Sequence, residues 1–443
     1  MTMRANDDSV RSLDQLLSKC LHCGLCLPVC PTYTVTCDEK SSPRGRIRLI
    51  RSLYADEIDV SDEFIDEMNF CLDCQACETA CPAGVSYAPL VEDARNIITR
   101  SGREPFMTKI VRKFILNGIL GSTLGRKIFH ATLALYQHTG LREAVEKSDI
   151  LMLLPGTIRF RHNLLPYVQT ESFNASTPEV LTPPGAVKGK IAFLTGCLMD
   201  TAFADIHEDC VEVLLRNGFE VHLPKHQGCC GSLHAHNGEP EKARELAEAN
   251  TRIFSDEKFD AIVVNSAGCA AFMKEYRNLF PDDQETRRQA ERVSATTREI
   301  TEFLVERNFR KPEGVIRKRV TYHDACHLVH AQKISAQPRE IVRSVPGIEF
   351  VELPESTWCC GSAGIYNILR YDDASKFLSR KIGNLEKTGA EIVLTANPGC
   401  HLQITHGLHN SENPCLVMHP VTLLNSSYKL EPGRINSHTT PPQ

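Results

Sequence analysis

CLHCGLCLPVCP (residues 20–31) and CLDCQACETACP (residues 71–82) share one pattern, C-x2-C-x2-C-x3-C-P. Thiolates at every third residue of a compact loop can reach three irons of one cubane cluster. The fourth cysteine, set before the proline, reaches the neighbouring cluster. The expected ligand sets are therefore crossed: Cys20, Cys23, Cys26 and Cys81 for one 4Fe–4S cluster, and Cys30, Cys71, Cys74 and Cys77 for the other. Structural zinc, the competing use of C-x2-C pairs, takes two pairs rather than a four-cysteine run closed by proline. Pro31 and Pro82 turn the chain and end each loop. The 40 positions between Cys30 and Cys71 exceed a minimal ferredoxin hairpin, and GRIRLIRSLYADE and SDEFIDEMNF within them read as helices. Residues 1–100 are thus expected to form a helical, ferredoxin-like domain with two clusters.

The rest of the chain is read outward from there. Nineteen cysteines in 443 residues is a high count, and nine of them lie between Cys20 and Cys81. MTMRANDDSVRSLDQ has no apolar run of an export signal, and no later stretch is long and apolar enough to span a membrane. A reducing cytoplasm is the expected compartment, where clustered cysteines serve as ligands or catalytic thiols rather than as disulfides. A net charge of -5 and a pI near 6.4 give no electrostatic case for nucleic acid. Neither G-x-G-x-x-G nor a P-loop occurs, so hydride chemistry would have to come from a partner.

Residues 101–189 read as a helical segment followed by a linker. Ile110, Phe114, Ile119, Ile128 and Leu133 fall at helical spacing, with Arg112, Lys113, Arg126 and Lys127 between them. Packing within the protein is the ordinary use of such helices; docking a partner subunit or lying on a membrane surface are the alternatives. Pro155, Pro166, Pro178, Pro183, Pro184 and Gly185 mark the linker.

From residue 190 onward strand and helix alternate, and the pattern repeats. IAFLTGC (191–197), FEVHLP and AIVVNSAGC (261–269) read as strands in the first copy. RVTYHDACH (319–327), IEFVELPESTWCCGSAG and EIVLTANPGC (391–400) answer them in the second. The Cys197–Cys229 and Cys326–Cys359 intervals are 32 and 33 positions, and Cys230–Cys269 and Cys360–Cys400 are 39 and 40. The fold class is therefore multidomain: the helical two-cluster domain, then two repeated α/β Cys-Cys-Gly units at residues 190–310 and 311–430. Parallel strands with covered faces place ligands at their carboxyl ends. That is where Cys197, Cys229, Cys230 and Cys269, and Cys326, Cys359, Cys360 and Cys400, are expected. Four cysteines per unit suffice for a further Fe–S cluster in this region. Zinc, a redox dithiol pair and a site without metal are the alternatives. His327 and His401 directly follow cysteines and are read as solvated loop histidines rather than ligands. Cys210 reads as core, Cys37 as a free thiol and Cys415 as unpatterned. The PRGR run (43–46) either faces a partner, screens cluster charge or is solvated surface.

CPTYTVTCDEKSSPRGRIRLI, CPAGVSYAPLVEDAR, SAGCAAFMKEY, HLVHAQKI and CCGSAGIYNIL carry a resemblance over nearly the whole chain. The sequence resembles the iron–sulfur subunits of bacterial glycolate oxidase. More distantly it resembles the anaerobic glycerol-3-phosphate dehydrogenase small subunit and the lactate-utilisation and heterodisulfide-reductase subunits. The resemblance implies an electron-transfer subunit. An FAD-binding partner would oxidise a 2-hydroxy acid such as glycolate or lactate. This chain would pass the electrons towards a quinone or another acceptor, from the cytoplasm or from the inner face of the membrane. Heterodisulfide reductases close each Cys-Cys-Gly unit with C-x2-C. Here Cys269 is followed by Ala-Ala-Phe and Cys400 by His-Leu-Gln. Thiol or disulfide reduction at that site is accordingly the alternative, not the first reading.

Overall fold

In the computed structural model the described residues are 7–148, 150–153, 159, 162, 164–255, 258–409, 411 and 415–431, with side chains from residue 13. Pro155 of the expected linker lies outside them. In the first domain, helices Asp7–Ser18, Pro43–Tyr54, Asp62–Phe70 and Ala88–Ser101 enclose a core of Leu17, Ile47, Ile50, Phe64, Met68 and Leu90. The two helices read between the cysteine loops are present. Ser42 and Ser61 start them by accepting from Gly45 N–H and Phe64 N–H.

The first α/β unit carries a five-stranded sheet in the order β1-β3-β2-β4-β5. Its strands are β1 (Val180–Leu181), β2 (Gly189–Leu194), β3 (Phe219–His222), β4 (Ala261–Val264) and β5 (Thr297–Glu299). Only β1 is antiparallel. The second unit has the order β7-β6-β8-β9, all parallel, from β6 (Arg319–Tyr322), β7 (Glu349–Phe350), β8 (Ile392–Leu394) and β9 (Leu416–Met418). In both units the chain starts on a central strand, steps to one side, then crosses to the other. Each sheet therefore has a topological switch point, between β2 and β4 and between β6 and β8, and the crevice above it is the expected ligand position.

Two boundaries differ from the sequence reading. The linker is not free chain: its residues 180 and 181 form β1, paired with β3, and Phe173 is buried in the first unit's core. The units are also not self-contained. The last helix of the second unit, Pro420–Lys429, places Val421, Leu424 and Tyr428 in the core of the first, beside Val211 and Leu214. Asn425 donates to Asp209 and Glu212 across this joint at 2.7 and 2.9 Å.

Candidate metal centres and the cavity they share

The two cysteine loops of the first domain repeat each other in backbone as well as in sequence. His22 and Asp73, each two residues after the first cysteine, have φ of 53° and 50°. Gly24 and Gln75, each following the second cysteine, have φ of 86° and 59°. Left-handed residues at these positions turn backbone N–H groups inward, the concave arrangement that suits an anion. Cys30 lines one small pocket with Cys71, Cys74 and Cys77, together with Arg46 and Tyr87. The chain thus brings the last cysteine of the first run to the first three of the second. Cys26 lies near Cys30 and Cys20, and burial pushes its thiol up. Cys20 and Cys81 both lie against the same core, and Cys23 is exposed.

Within the PRGR run Arg46 is turned inward, and Arg44 keeps part of its side chain at the surface. Arg46 is 0% exposed. It donates to Glu67 O (2.7 Å) and Thr32 Oγ1 (3.1 Å) and pairs with the Glu67 carboxylate at 3.6 Å. Its charge faces Cys71 and Cys30, so of the three expectations, screening of cluster charge is the one the geometry supports. Arg44 is bound to Glu39 and to the His22 carbonyl (2.8 Å), inside the first cysteine loop.

Each Cys-Cys-Gly turn owes its glycine to a specific constraint. Gly231 and Gly361 have φ of +94° and +87°, and a Cβ would meet the carbonyl oxygens of Ala243 and Ala374 at 2.8 and 2.5 Å. Only glycine combines that backbone with so close an approach of the next helix. The turn delivers adjacent thiols to the switch point. Cys197 and Cys326 arrive from the ends of β2 and β6. Cys269 and Cys400 sit in the first turns of helices Ala267–Lys274 and Pro398–Leu408, rather than at the strand ends themselves.

The four thiols of each unit form a chain. Cys197 meets Cys229, Cys229 meets Cys230, and Cys230 meets Cys269. Likewise Cys326 meets Cys359, Cys359 meets Cys360, and Cys360 meets Cys400. Hydrogen bonds from Cys197 and Cys230 hold the Cys229 thiol well below the ordinary range. The partner Cys197 is pushed up by the same bond and by burial. All nineteen cysteines are free, and buried soft thiolates in groups of four are a donor set for iron or zinc.

The two units differ beside their thiols. Lys381 is buried and donates to the carbonyls of Glu355 (2.7 Å) and Ser356 (3.2 Å), near Cys360, Cys326 and Cys359. Burial brings its ammonium down to about 8. On the corresponding helix of the first unit, Asn250 instead donates to Cys229 O (2.9 Å) and accepts from Gly228 N–H (3.1 Å). His323 is buried, with one ring nitrogen and the sulfurs of Cys360 and Cys400 within 4.8 Å of one another. Neither residue was singled out in the sequence, since nothing in HDAC or SRKIG marks burial. His327 is no solvated loop residue: its Nε2 lies 2.9 Å from Asp73 O. His401 is partly buried against the Phe203 ring.

A cavity of about 630 Å³ lies between the two units and the second ferredoxin loop. Both cysteine quartets line it, and so do Cys71, Asp73 and Cys74 of the second ferredoxin loop. Cys74 packs against one apolar cluster in which Phe70, Leu72, Trp358 and Phe377 surround Cys326 and Cys359. On the other side His236 Nδ1 bridges Glu92 (2.5 Å) and Asp73 (3.1 Å). Burial opposes its charge, but the two carboxylates outweigh it and hold the imidazole at about 10.

Helices Phe106–Lys113 and Thr123–His138 turn an apolar face outward, although Thr108 and Arg112 of the first line the cavity. Phe106, Phe114, Leu124 and Ile128 are 74, 65, 68 and 59% exposed. Internal packing is therefore overturned for Ile110, Phe114 and Ile128, whereas Leu133 is buried. Arg112 is not on that face. It is buried between Glu104 (2.8 Å) and Glu239 (2.6 Å), pinning the segment to the first unit.

Comparison with known proteins matches these parts one by one. A family model for a 4Fe-4S dicluster domain matches residues 16–85, and one for a cysteine-rich domain matches twice, at 191–274 and 320–405. The chain is 36% identical over 395 residues to the probable glycolate oxidase iron-sulfur subunit of Bacillus subtilis, covering 88% of this chain and 89% of the relative. It is 29% identical over 409 residues to the glycolate oxidase iron-sulfur subunit of Escherichia coli, covering 91% and 93%. Lactate utilization protein A of Geobacillus kaustophilus is 32% identical over 240 residues, 54% of this chain and 99% of that one.

Proposed function

The chain belongs to the family of the glycolate oxidase iron–sulfur subunits, and from that we propose that it is the electron-transfer subunit of a 2-hydroxy-acid dehydrogenase complex. An FAD-binding partner subunit would oxidise glycolate or lactate, and a quinone or another acceptor would receive the electrons. When bound, iron–sulfur clusters supply one-electron steps between a two-electron donor and the acceptor. Cys30, Cys71, Cys74 and Cys77 would hold one 4Fe–4S cluster, and Cys20, Cys23, Cys26 and Cys81 the other. The shared pocket of the first four supports the crossed arrangement. The cysteine quartets of the two units would hold further iron–sulfur centres. Arg46 and Lys381 would balance the charge of the thiolates they face.

The observation that carries this reading is the packing of Cys74 against the buried cluster that holds Cys326 and Cys359. It sets the ligand loop of the first domain beside the thiols of the second unit, and Cys74 lines one cavity with both quartets. The test is anaerobic mixing with 2-hydroxy acid. Reduced iron–sulfur signals should develop only when the flavoprotein subunit is added. Signals from the isolated chain with substrate, or none in the assembled complex, would sink the assignment. The cavity between the quartets favours one second reading, reduction of a small thiol or disulfide compound there. Turnover of such a compound by the chain alone would establish it.

No helix among the described residues is long and apolar enough to cross a membrane. The exposed apolar face of residues 106–135, with Lys113 and Lys127 beside it, would rest on an anionic membrane surface, apolar side chains in the headgroup boundary and lysines on the phosphates.

A further inference from the structure

We infer that His323 is a ligand of the metal centre in the second Cys-Cys-Gly unit, which makes that centre chemically different from the one in the first. The inference rests on the reading that this unit holds an iron–sulfur centre. His323 follows directly on β6 and is fully buried. One of its ring nitrogens and the sulfurs of Cys360 and Cys400 lie within 4.8 Å of one another.

The Ser356 carbonyl approaches the ring, but it already accepts from Lys381 Nζ and from Asp324 N–H, each at 3.2 Å, and neither ring nitrogen makes a hydrogen bond of good geometry. A buried imidazole without partners is costly, and such groups in folded proteins are nearly always satisfied by a donor, an acceptor or an ion. Here the nearest groups able to share an ion with it are two thiols. Imidazole and thiolate together are an established donor pair for iron and zinc.

The repeat makes the assignment selective. The position three residues before Cys326 is His323, whereas three residues before Cys197 stands Leu194, buried in an apolar cluster. No cysteine follows Cys400 within the next turn. The second unit therefore gains a nitrogen donor on its first strand that has no counterpart at Leu194; in the first unit the buried His234 approaches Cys229 from the helix after the Cys-Cys-Gly turn instead. A neutral imidazole beside the thiolates changes the donor set of that centre, and ligand identity is one of the factors that set the potential of an iron–sulfur centre. The two centres that face one cavity would then differ in potential.

The test uses the full chain, purified without oxygen, with natural or 15N-labelled histidine, and reads metal content and nitrogen hyperfine couplings in the reduced and oxidised states. Iron beyond the first domain's eight, with a strong nitrogen coupling that changes on labelling and vanishes in His323→Ala, is the expected result. His323→Cys should retain the iron and shift the midpoint potential. Extra iron without any histidine coupling, unchanged in His323→Ala, would overturn this inference and leave the cluster reading standing. Eight irons only, or zinc in place of iron, would overturn both.

Discussion

Alanine at Gly361 separates the two reasons for the glycine of the Cys-Cys-Gly turn. Its φ of +87° costs an L-residue about 1–2 kcal/mol. The new Cβ would also stand 2.5 Å from Ala374 O and 3.3 Å from the Phe377 Cβ. Neither neighbour is the free end of a flexible side chain, so the helix Tyr371–Thr388 must move, at roughly 1–3 kcal/mol for overpacking. The sum is about 2–5 kcal/mol. Gly389, at the end of the same helix, supplies the control. Its φ is +60° and nothing lies within 4 Å of a Cβ there, so Gly389→Ala should cost only the backbone share, about 1–2 kcal/mol. Trp358, the single tryptophan of the chain, is buried beside Cys359 and reports this region by its fluorescence. Urea titrations should show Gly361→Ala losing clearly more stability than Gly389→Ala. Equal losses would refute the close-approach explanation of the motif.

Four further outcomes are expected. Arg46→Met leaves the buried Glu67 carboxylate with Ser41 but without its counter-charge and should destabilise the first domain by about 3–5 kcal/mol, measured by denaturant unfolding. Cys74→Ala should remove one cluster, about four irons per chain by metal analysis; wild-type iron content would contradict the ligand set. His236 is held at about 10, above the ordinary 6.5. Its ion pairs therefore stabilise fully below about pH 6.5, and that stability is lost as the pH rises through about 10. The stability gap between wild type and His236→Gln should close over that window, and a gap constant in pH would exclude the charged pair. Binding to anionic vesicles should be lost in Phe114→Asp and weakened by salt, as sedimentation would show; binding equal to wild type would exclude the apolar face.

Much of the architecture is legible because strong local signals carry it. Ile191–Leu194 and Ala261–Val264 are uninterrupted apolar runs buried on both faces, and their parallel order follows from the helices between them. The meeting of Cys30 with Cys71, Cys74 and Cys77 in one pocket is legible because the spacing itself limits which sulfurs can meet. β1 is not legible: a two-residue edge strand amid prolines has no periodicity to read. The outward face of residues 106–135 was unreadable for another reason. Helical spacing shows that one side is apolar, but whether it is covered depends on elements far away in sequence. The same holds for Arg112 and Arg46, whose charges look solvated until Glu239 and Glu67 are placed beside them. His236, Asp73 and Glu92 belong to different parts of the chain and meet only in the fold.

The helix Pro420–Lys429 has a consequence for biosynthesis. Val421, Leu424 and Tyr428 complete the core of the first Cys-Cys-Gly unit, although they are translated after the whole of the second sheet. Chains generally fold in order of synthesis, amino-terminal parts first. Here the first unit must wait, its apolar surface open, until the second unit that supplies this helix has also been made. A metal held by its thiols would then be delivered late, whereas the amino-terminal loops can be loaded while synthesis continues.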